Sequence, residues 1–299
     1  MSQECKVRAR FFPPPAALRR YFTTFYLVEV EGCRDLRATD YLQPEWANLR
    51  FHTGAYPDAA RLDGQGVSGS SFAATGPSSR SVRFTIGPTR MWGIGLLPLG
   101  WAKYVREPAS ALADAVVDGN THPAFAHFAP LGRELFTPDG DDLADYSRIC
   151  AWFEARGPVP VPDEARIVAI HSAVIDPEVS TVSDLVEATG TSQRTVERIC
   201  QRAFGFSPKL LLRRQRFMRS LSQYMLDPSL KWVGAMDGHY HDQAQFVRDF
   251  HAFMGMTPRQ YAAMPHPILT AIMTERARLA GAAVQTLDSP AGTAAGSGA

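Results

Sequence analysis

From about residue 10 to 110 apolar and polar positions alternate in short runs. Tyr21 to Val30 is rich in aromatic and β-branched residues, and Trp46–His52 and Val82–Ile86 alternate with period two. Gly87-Pro88, Pro98-Leu-Gly100 and the Gly/Ser-rich stretch Gly64–Ser71 punctuate these runs as turns. Many short strands of this kind predict an antiparallel sandwich or barrel. Beyond residue 108 the period lengthens. Leu112, Val116 and Val117, then Leu143, Tyr146, Ile149, Trp152 and Phe153, follow a helical spacing.

The segment Gly157-Pro158-Val-Pro160-Val-Pro162 cannot be helical, because each proline lacks an amide hydrogen and fixes its own φ. It is the expected domain boundary. After it the helical pattern runs to about residue 280. One helix is expected around Val168–Ile175 and a second over Thr181–Thr189, with Gly190 closing it in a left-handed conformation. Ser207-Pro208 places an N-cap before a proline at the first helical position, and Asp227-Pro228 stops the helix that follows. That helix has about 19 residues, or ~28 Å at 1.5 Å each. The last residues, Thr286–Ala299, are rich in Gly, Ala, Ser and Thr and read as a disordered tail.

Two stretches of the helical region repeat at a constant offset of fifty residues. Gln193 matches Gln243, Val196 matches Phe246 and Arg198 matches Arg248, while Gly205 and Gly255 precede Ser207-Pro208 and Thr257-Pro258. Ser192 and Asp242 are N-cap residues for the two repeated helices. Val196, Ile199 and Ala203 share one face, as do Phe246, Phe250 and Phe253. Polar and charged residues take the other. Each copy is therefore a helix-turn-helix unit that ends by starting a new helix.

Composition narrows the reading. The chain has 299 residues, 45% hydrophobic and 20% charged, which describes a globular protein with room for two domains. No apolar run is long enough to span a bilayer, the first residues lack a signal-peptide layout, and a cytoplasmic location is expected. Cys5, Cys33, Cys150 and Cys200 are scattered, without zinc-like spacing, and are expected to be reduced thiols. The net charge of +1 hides a division: residues 1–165 carry 17 basic against 19 acidic side chains, residues 166–278 carry 14 against 10. Within 190–219 stand eight basic residues (Arg194, Arg198, Arg202, Lys209, Arg213, Arg214, Arg216 and Arg219) against Glu197 alone. Such an excess suits a polyanion, although a solvated helix face has the same signature.

Two helix-turn-helix units joined by a long helix, closed by Gly-Phe-Ser-Pro and Gly-Met-Thr-Pro-Arg-Gln-Tyr, resemble the AraC/XylS-type transcription regulators over residues 166–265. Tyr240 to Phe250, on to Tyr261, is the most specific part. The preceding region is similar, more loosely, to the β-rich sensor domains of such regulators, best over Gly93–Gly100. The resemblance implies an α+β, multidomain chain: a β-rich, cupin-like barrel or sandwich over 1–107, a helical connector and Pro-rich linker over 108–163, a DNA-binding domain over 164–265, and a helix end and disordered tail over 266–299. It implies double-stranded DNA as partner, with a small-molecule effector, and leaves room for RNA polymerase and a second copy of the chain. No membrane and no cofactor are implied.

Carried onto this sequence, the first recognition helix would present Gln193, Arg194, Glu197 and Arg198, and the second Gln243, Gln245, Val247 and Arg248. Arg pairs bidentately with guanine and Gln with adenine, Glu accepts from cytosine, and Val touches a thymine methyl. Arg198 and Arg248 are equally suited to phosphates. The sequence departs from the family at His239, where a turn Gly is usual and Gly238 comes one place early, and at Trp232, where a smaller aliphatic is usual.

Trp46, Phe51, Tyr56, Phe84, Trp92 and Trp101 stand in the β-rich region, where alternating aromatics mostly form core; of that region, Trp46, His52 and Trp92 are the candidates for a ligand pocket. The alternative function is a cupin-type metal-dependent enzyme with a helical appendage. His52, His122 and His127 are its only pointers, and their spacing makes no compact ligand motif. No Gly-x-Ser-x-Gly, phosphate loop or dinucleotide fingerprint is present, so no enzyme is expected.

Overall fold

The computed structural model describes residues 6–31, 37–138, 141–280 and 283–290. Ten strands are β1 (Lys6–Phe12), β2 (Phe22–Glu31), β3 (Ala38–Leu42), β4 (Ala47–Gly54), β5 (Asp58–Arg61), β6 (Gly66–Ser68), β7 (Phe72–Thr75), β8 (Val82–Ile86), β9 (Thr89–Leu96) and β10 (Val116–Asp118). They form two antiparallel sheets, one in the order β1-β2-β9-β4-β7-β10 and one in the order β3-β8-β5-β6. The β-rich N-terminal domain expected from the alternation is thus a two-sheet sandwich.

The central strands of the larger sheet are buried on both sides, and period two decides which residue faces where. On β4, Ala47, Leu49 and Phe51 pack on the helices α1 (Pro98–Tyr104), α2 (Ala129–Glu134) and α3 (Asp142–Glu154). Arg50 and His52 point the other way, into the space between the sheets. The connector expected over 108–163 is not a separate unit. Its strand β10 pairs with β7, and α3 sends Ile149 and Phe153 into the core beneath the sheet.

The helical region holds α4 (Glu164–Ile175), α5 (Val182–Thr189), α6 (Gln193–Ile199), which runs on as a π-helical turn over Cys200–Phe204, and α7 (Pro208–Leu226). It continues through α8 (Lys231–Ala235), α9 (Gln243–Met254) and α10 (Pro258–Ala262). The capping signals act where they were read. Ser192 and Asp242 accept from Thr195 N and Gln245 N, and Ser207 and Thr257 from Leu210 N and Gln260 N. Gly205 and Gly255 close the two repeated helices at φ of 87° and 72°, where a Cβ would be strained.

Both helix-turn-helix units share cores with the β-domain. Trp46, Leu97 and Leu99 pack with Ile170, Leu185, Val196 and Leu211 around the first unit. The second unit is centred on Phe217, Phe246, Phe250 and Phe253. Asp249 of α9, 2% exposed, takes Arg213, Arg216 and the Tyr240 hydroxyl at once, which bolts α9 to α7. Trp232 stacks on Tyr224 at 3.6 Å and donates to the Pro258 carbonyl.

At the C-terminal end, the helix expected to run to about residue 280 is α11 (Pro267–Ala280), a fourteen-residue helix that packs on the edge of the sandwich at β1 and β3. Asp40 of β3 accepts from Ile268 N and Leu269 N at 3.1 and 2.9 Å, which supplies from another domain the carboxylate that the start of α11 lacks in its own sequence. Residues 283–290 also dock. Thr286 is buried and Asp288 pairs with Arg276. Residues 291–299, the rest of the expected tail, lie outside the described residues, as do Cys5 and Cys33. Cys150 and Cys200 are buried thiols, and burial pushes that of Cys200 up to about 12. No described helix is long and apolar enough to cross a membrane.

Replacing Asp249 by Ala strands two arginines at the α7–α9 contact and is expected to destabilise the protein by about 3 kcal/mol or more. A denaturant midpoint within experimental error of the wild type would show that the bolt contributes nothing. A second expectation concerns acid. His52 and His171 are buried, and desolvation, aided by Arg50 and Arg214 respectively, pulls each down to about 3. Their unfolded counterparts take a proton near pH 6.5, so the stability they permit is complete above that pH and is lost as the pH falls towards 3. At pH 5 the loss is about 2 kcal/mol for each. His266 acts in the opposite sense: burial lowers its proton affinity, but its bonds to Asp40 and the Tyr261 carbonyl outweigh this and raise it, so its contribution is lost as pH rises. The unfolding midpoint should drop between pH 7 and pH 5, and less so in His171→Leu; equal pH slopes in the two proteins would contradict neutral burial.

Candidate nucleic-acid interface

The repeated helices α6 and α9 each turn one side inward. Val196 and Phe246 are 0% and 2% exposed, and Ile199 and Phe250 are equally sealed. Opposite them, Gln193, Arg194, Glu197 and Arg198 are exposed on α6, and Gln243, Val247 and Arg248 on α9. Seven of the eight expected contact residues therefore stand on the outward faces, at matching positions of the two copies.

Gln245 is the exception. Its side-chain oxygen accepts from His241 N at 3.1 Å, so it caps the start of α9 and is only partly exposed. The offset of fifty pairs it with Thr195, itself half-buried, and that register is the signal that marks it as inward-facing. The matching outward position is Ala244, exposed next to Gln243.

The outward side chains differ in freedom. Gln193 donates to Glu197 at 2.9 Å, which orients both along α6. Arg198 donates to Asp163 at 3.0 Å, and the same carboxylate holds Arg166 and lies 3.9 Å from Arg202. These arginines hold the Asp163 carboxyl below its usual range. Arg194, Gln243 and Arg248 make no side-chain hydrogen bond or ion pair among the described residues.

Of the eight basic residues between 190 and 219, four are spent inside the protein. Arg213 and Arg216 are held by Asp249 and Arg219 by Asp237. Arg214 is fully buried, over the Trp46 ring at 4.2 Å, and donates to the carbonyl of Ser78 at 2.9 Å. Desolvation pulls it down to about 9. Arg194, Arg198, Arg202 and Lys209 remain as the outward charge of the first unit. At the second turn, where His239 replaces the usual Gly, Asp237 accepts from His239 N and from its ring, and Asp237 N donates to the Ser220 hydroxyl of α7. The irregular turn is therefore tied to α7.

The expected ligand-pocket residues separate. His52 lines a cavity between the two sheets. Trp92 does not: it faces the other side of its sheet and donates to Asp145 of α3. Trp46 does not either. It lies just before β4, against His171, Phe204 and Arg214 in the core of the first helix-turn-helix unit. Phe84 faces the cavity, whereas Phe51 and Trp101 join the core under α1–α3 and Tyr56 is exposed. The cavity residues missed by sequence reasoning are Glu45, Arg50, Arg276 and Gln285. Their signal was faint: a charged residue, Arg50, on the same strand face as the polar Asn48 and His52. His52, His122 and His127 are not brought together, and no three potential metal ligands converge among the described residues.

A family model described as a helix-turn-helix domain matches residues 185–264, from the end of α5 to just past α10. Among solved structures, ToxT from Vibrio cholerae O395 is 10% identical over 86% of this chain and 96% of its own, with a TM-score of 0.41. A second crystal form of Vibrio cholerae ToxT, at 10% identity, covers 88% of this chain and 98% of that one, with a TM-score of 0.43. No curated protein matches the chain. Residues 185–264, with two capped helices on one connecting rod, are a helix-turn-helix domain.

Proposed function

We propose that the chain is a sequence-specific transcription regulator whose helices α6 and α9 enter two adjacent major-groove segments of one operator. The observation that carries this reading is the pairing of outward positions at a fixed offset: Gln193 with Gln243, Glu197 with Val247 and Arg198 with Arg248, each opposite a sealed apolar side. Arg194 and Gln243, free of internal partners, are the base readers. Arg198 and Arg248 grip phosphate or base, and Arg198 exchanges Asp163 for DNA as it does so. The rod α7, 19 residues long, is about 28 Å, close to the roughly 34 Å between major-groove faces one turn apart.

Control enters through the β-rich domain, by a small molecule in the cavity between the sheets or by pairing of two copies. RNA polymerase is the further partner if the outcome is activation, and the cytoplasm is the compartment where DNA and polymerase meet. The unit that reads DNA spans 164–265, and the β-domain takes in the strand at 116–118 and the helix at 142–154.

Arg194→Ala and Gln243→Ala should each relax discrimination between the operator and its single-base variants by about 1–3 kcal/mol at one position. Gln245→Ala should leave discrimination in place, because that side chain caps its own helix. Titrations of selected operator duplexes at several salt concentrations read both effects. Unchanged specificity in both Arg194→Ala and Gln243→Ala would remove the groove assignment.

A further inference from the structure

The space between the sheets is a cavity of about 120 Å³. Strand side chains of both sheets make most of its wall, Val28, Met91 and Phe84 among them. The remaining wall comes from beyond the DNA-binding domain: Ile268, Ile272, Met273 and Arg276 of α11, followed by Val284 and Gln285. A chain that has already completed its second helix-turn-helix unit returns to close the sensor domain.

The charges of the lining are internally balanced. Arg50 donates through Nη2 to both carboxylate oxygens of Glu45, at 2.8 and 2.7 Å, and Glu45 also accepts from Asn48, Thr75 and Gln285. Arg276 pairs with Asp288 and donates to Thr24 at 2.7 Å. Each cation has its own carboxylate, so an anionic or cationic guest would lose its hydration and find no counter-charge. Hydrogen-bonding capacity does remain. Both ring nitrogens of His52, 6% exposed, lack a partner, as do the side-chain oxygen of Gln285 and Nε of Arg276. Burial, and then Arg50 beside it, keep the imidazole neutral, so it offers one donor and one acceptor. A cavity of this volume is close to one that holds a single benzene ring.

We propose that this cavity binds an uncharged molecule of single-ring size bearing one hydrogen-bonding group that meets His52, and that residues 266–280 together with 283–290 are its lid. The proposal rests on the reading of the β-domain as the controlling domain. The lid is hinged at one end, where Asp40 holds the start of α11 and His266. Its other end is latched twice, by Gln285 on Glu45 at 2.8 Å and by Gln215 of α7 on the Thr286 carbonyl at 2.5 Å. Gln215 belongs to the rod between the two DNA readers, so a guest that shifts Gln285 is felt at the helix that spaces them.

The test uses the full chain with phenol and cyclohexanol as probes and benzoate and benzylamine as charged counterparts of similar size. Calorimetric titration should show saturable binding of the two alcohols and at least tenfold weaker binding of the charged pair. Amide exchange over 283–288 should slow at least tenfold when phenol saturates the site. His52→Leu should weaken phenol at least tenfold while retaining toluene, and Ala73→Leu, which fills the cavity, should abolish both. Benzoate binding as tightly as phenol overturns the charge argument, and unchanged exchange over 283–288 overturns the lid. Failure of both alcohols to bind overturns the site, even if operator affinity answers to some other molecule; loss of operator preference is a separate failure that leaves these titrations intact.

Discussion

The helix α7 is the constraint on which the rest of the molecule depends. It is the connecting rod of the two helix-turn-helix units, yet it is not an exposed spacer. Arg214 enters the β-domain, lies on Trp46 and bonds the Ser78 carbonyl, while Leu211 and Phe217 on the same rod belong to the cores of the first and second units. A fully buried guanidinium costs a great deal unless its surroundings are held in place, so the rod fixes the β-domain as firmly as the β-domain fixes the rod. The loop 76–81 extends this contact, because Ser81 N donates to the Phe253 carbonyl at the end of α9. The β-domain, the rod and α9 therefore meet within a few residues of one loop.

Such coupling suits a regulator. A shift of population between two arrangements needs a guest that favours one of them, and it needs elements that cannot adjust independently. Here the elements are few: the sheet face bearing Arg50 and His52, the returning residues 266–280 and 283–290, and α7. The outward faces of α6 and α9 stay clear of these contacts, so the readers are positioned by the β-domain without being covered by it.

Much of this was legible in the sequence wherever the cause is local. Ser207-Pro208 and Asp227-Pro228 bound α7 to the residue, because caps and prolines act within one turn. The fifty-residue repeat likewise located the two matching helices α6 and α9. What escaped reading depends on partners far away in the chain. The docking of α11 on the β-domain is one such case, because its cap, Asp40, lies more than 220 residues upstream. The basic run 190–219 looked like one polyanion face, since only the fold brings Asp249 and Asp237 to Arg213, Arg216 and Arg219. Trp92 was placed in a pocket because alternation separates the faces of a strand without saying which one borders a cavity. The parity of Arg50 and His52 against that of Leu49 and Phe51 held the answer, as buried polar side chains gather where space remains.

The central claim is that one polypeptide lays two helices into neighbouring turns of the same duplex face. Methylation-interference footprinting on a selected operator measures this directly, since it reports contacts in the major groove base by base. The account predicts two interfering clusters of a few base pairs, about 10 base pairs apart from centre to centre and on one face of the duplex. A single cluster, or interference spread evenly along the site, would contradict it.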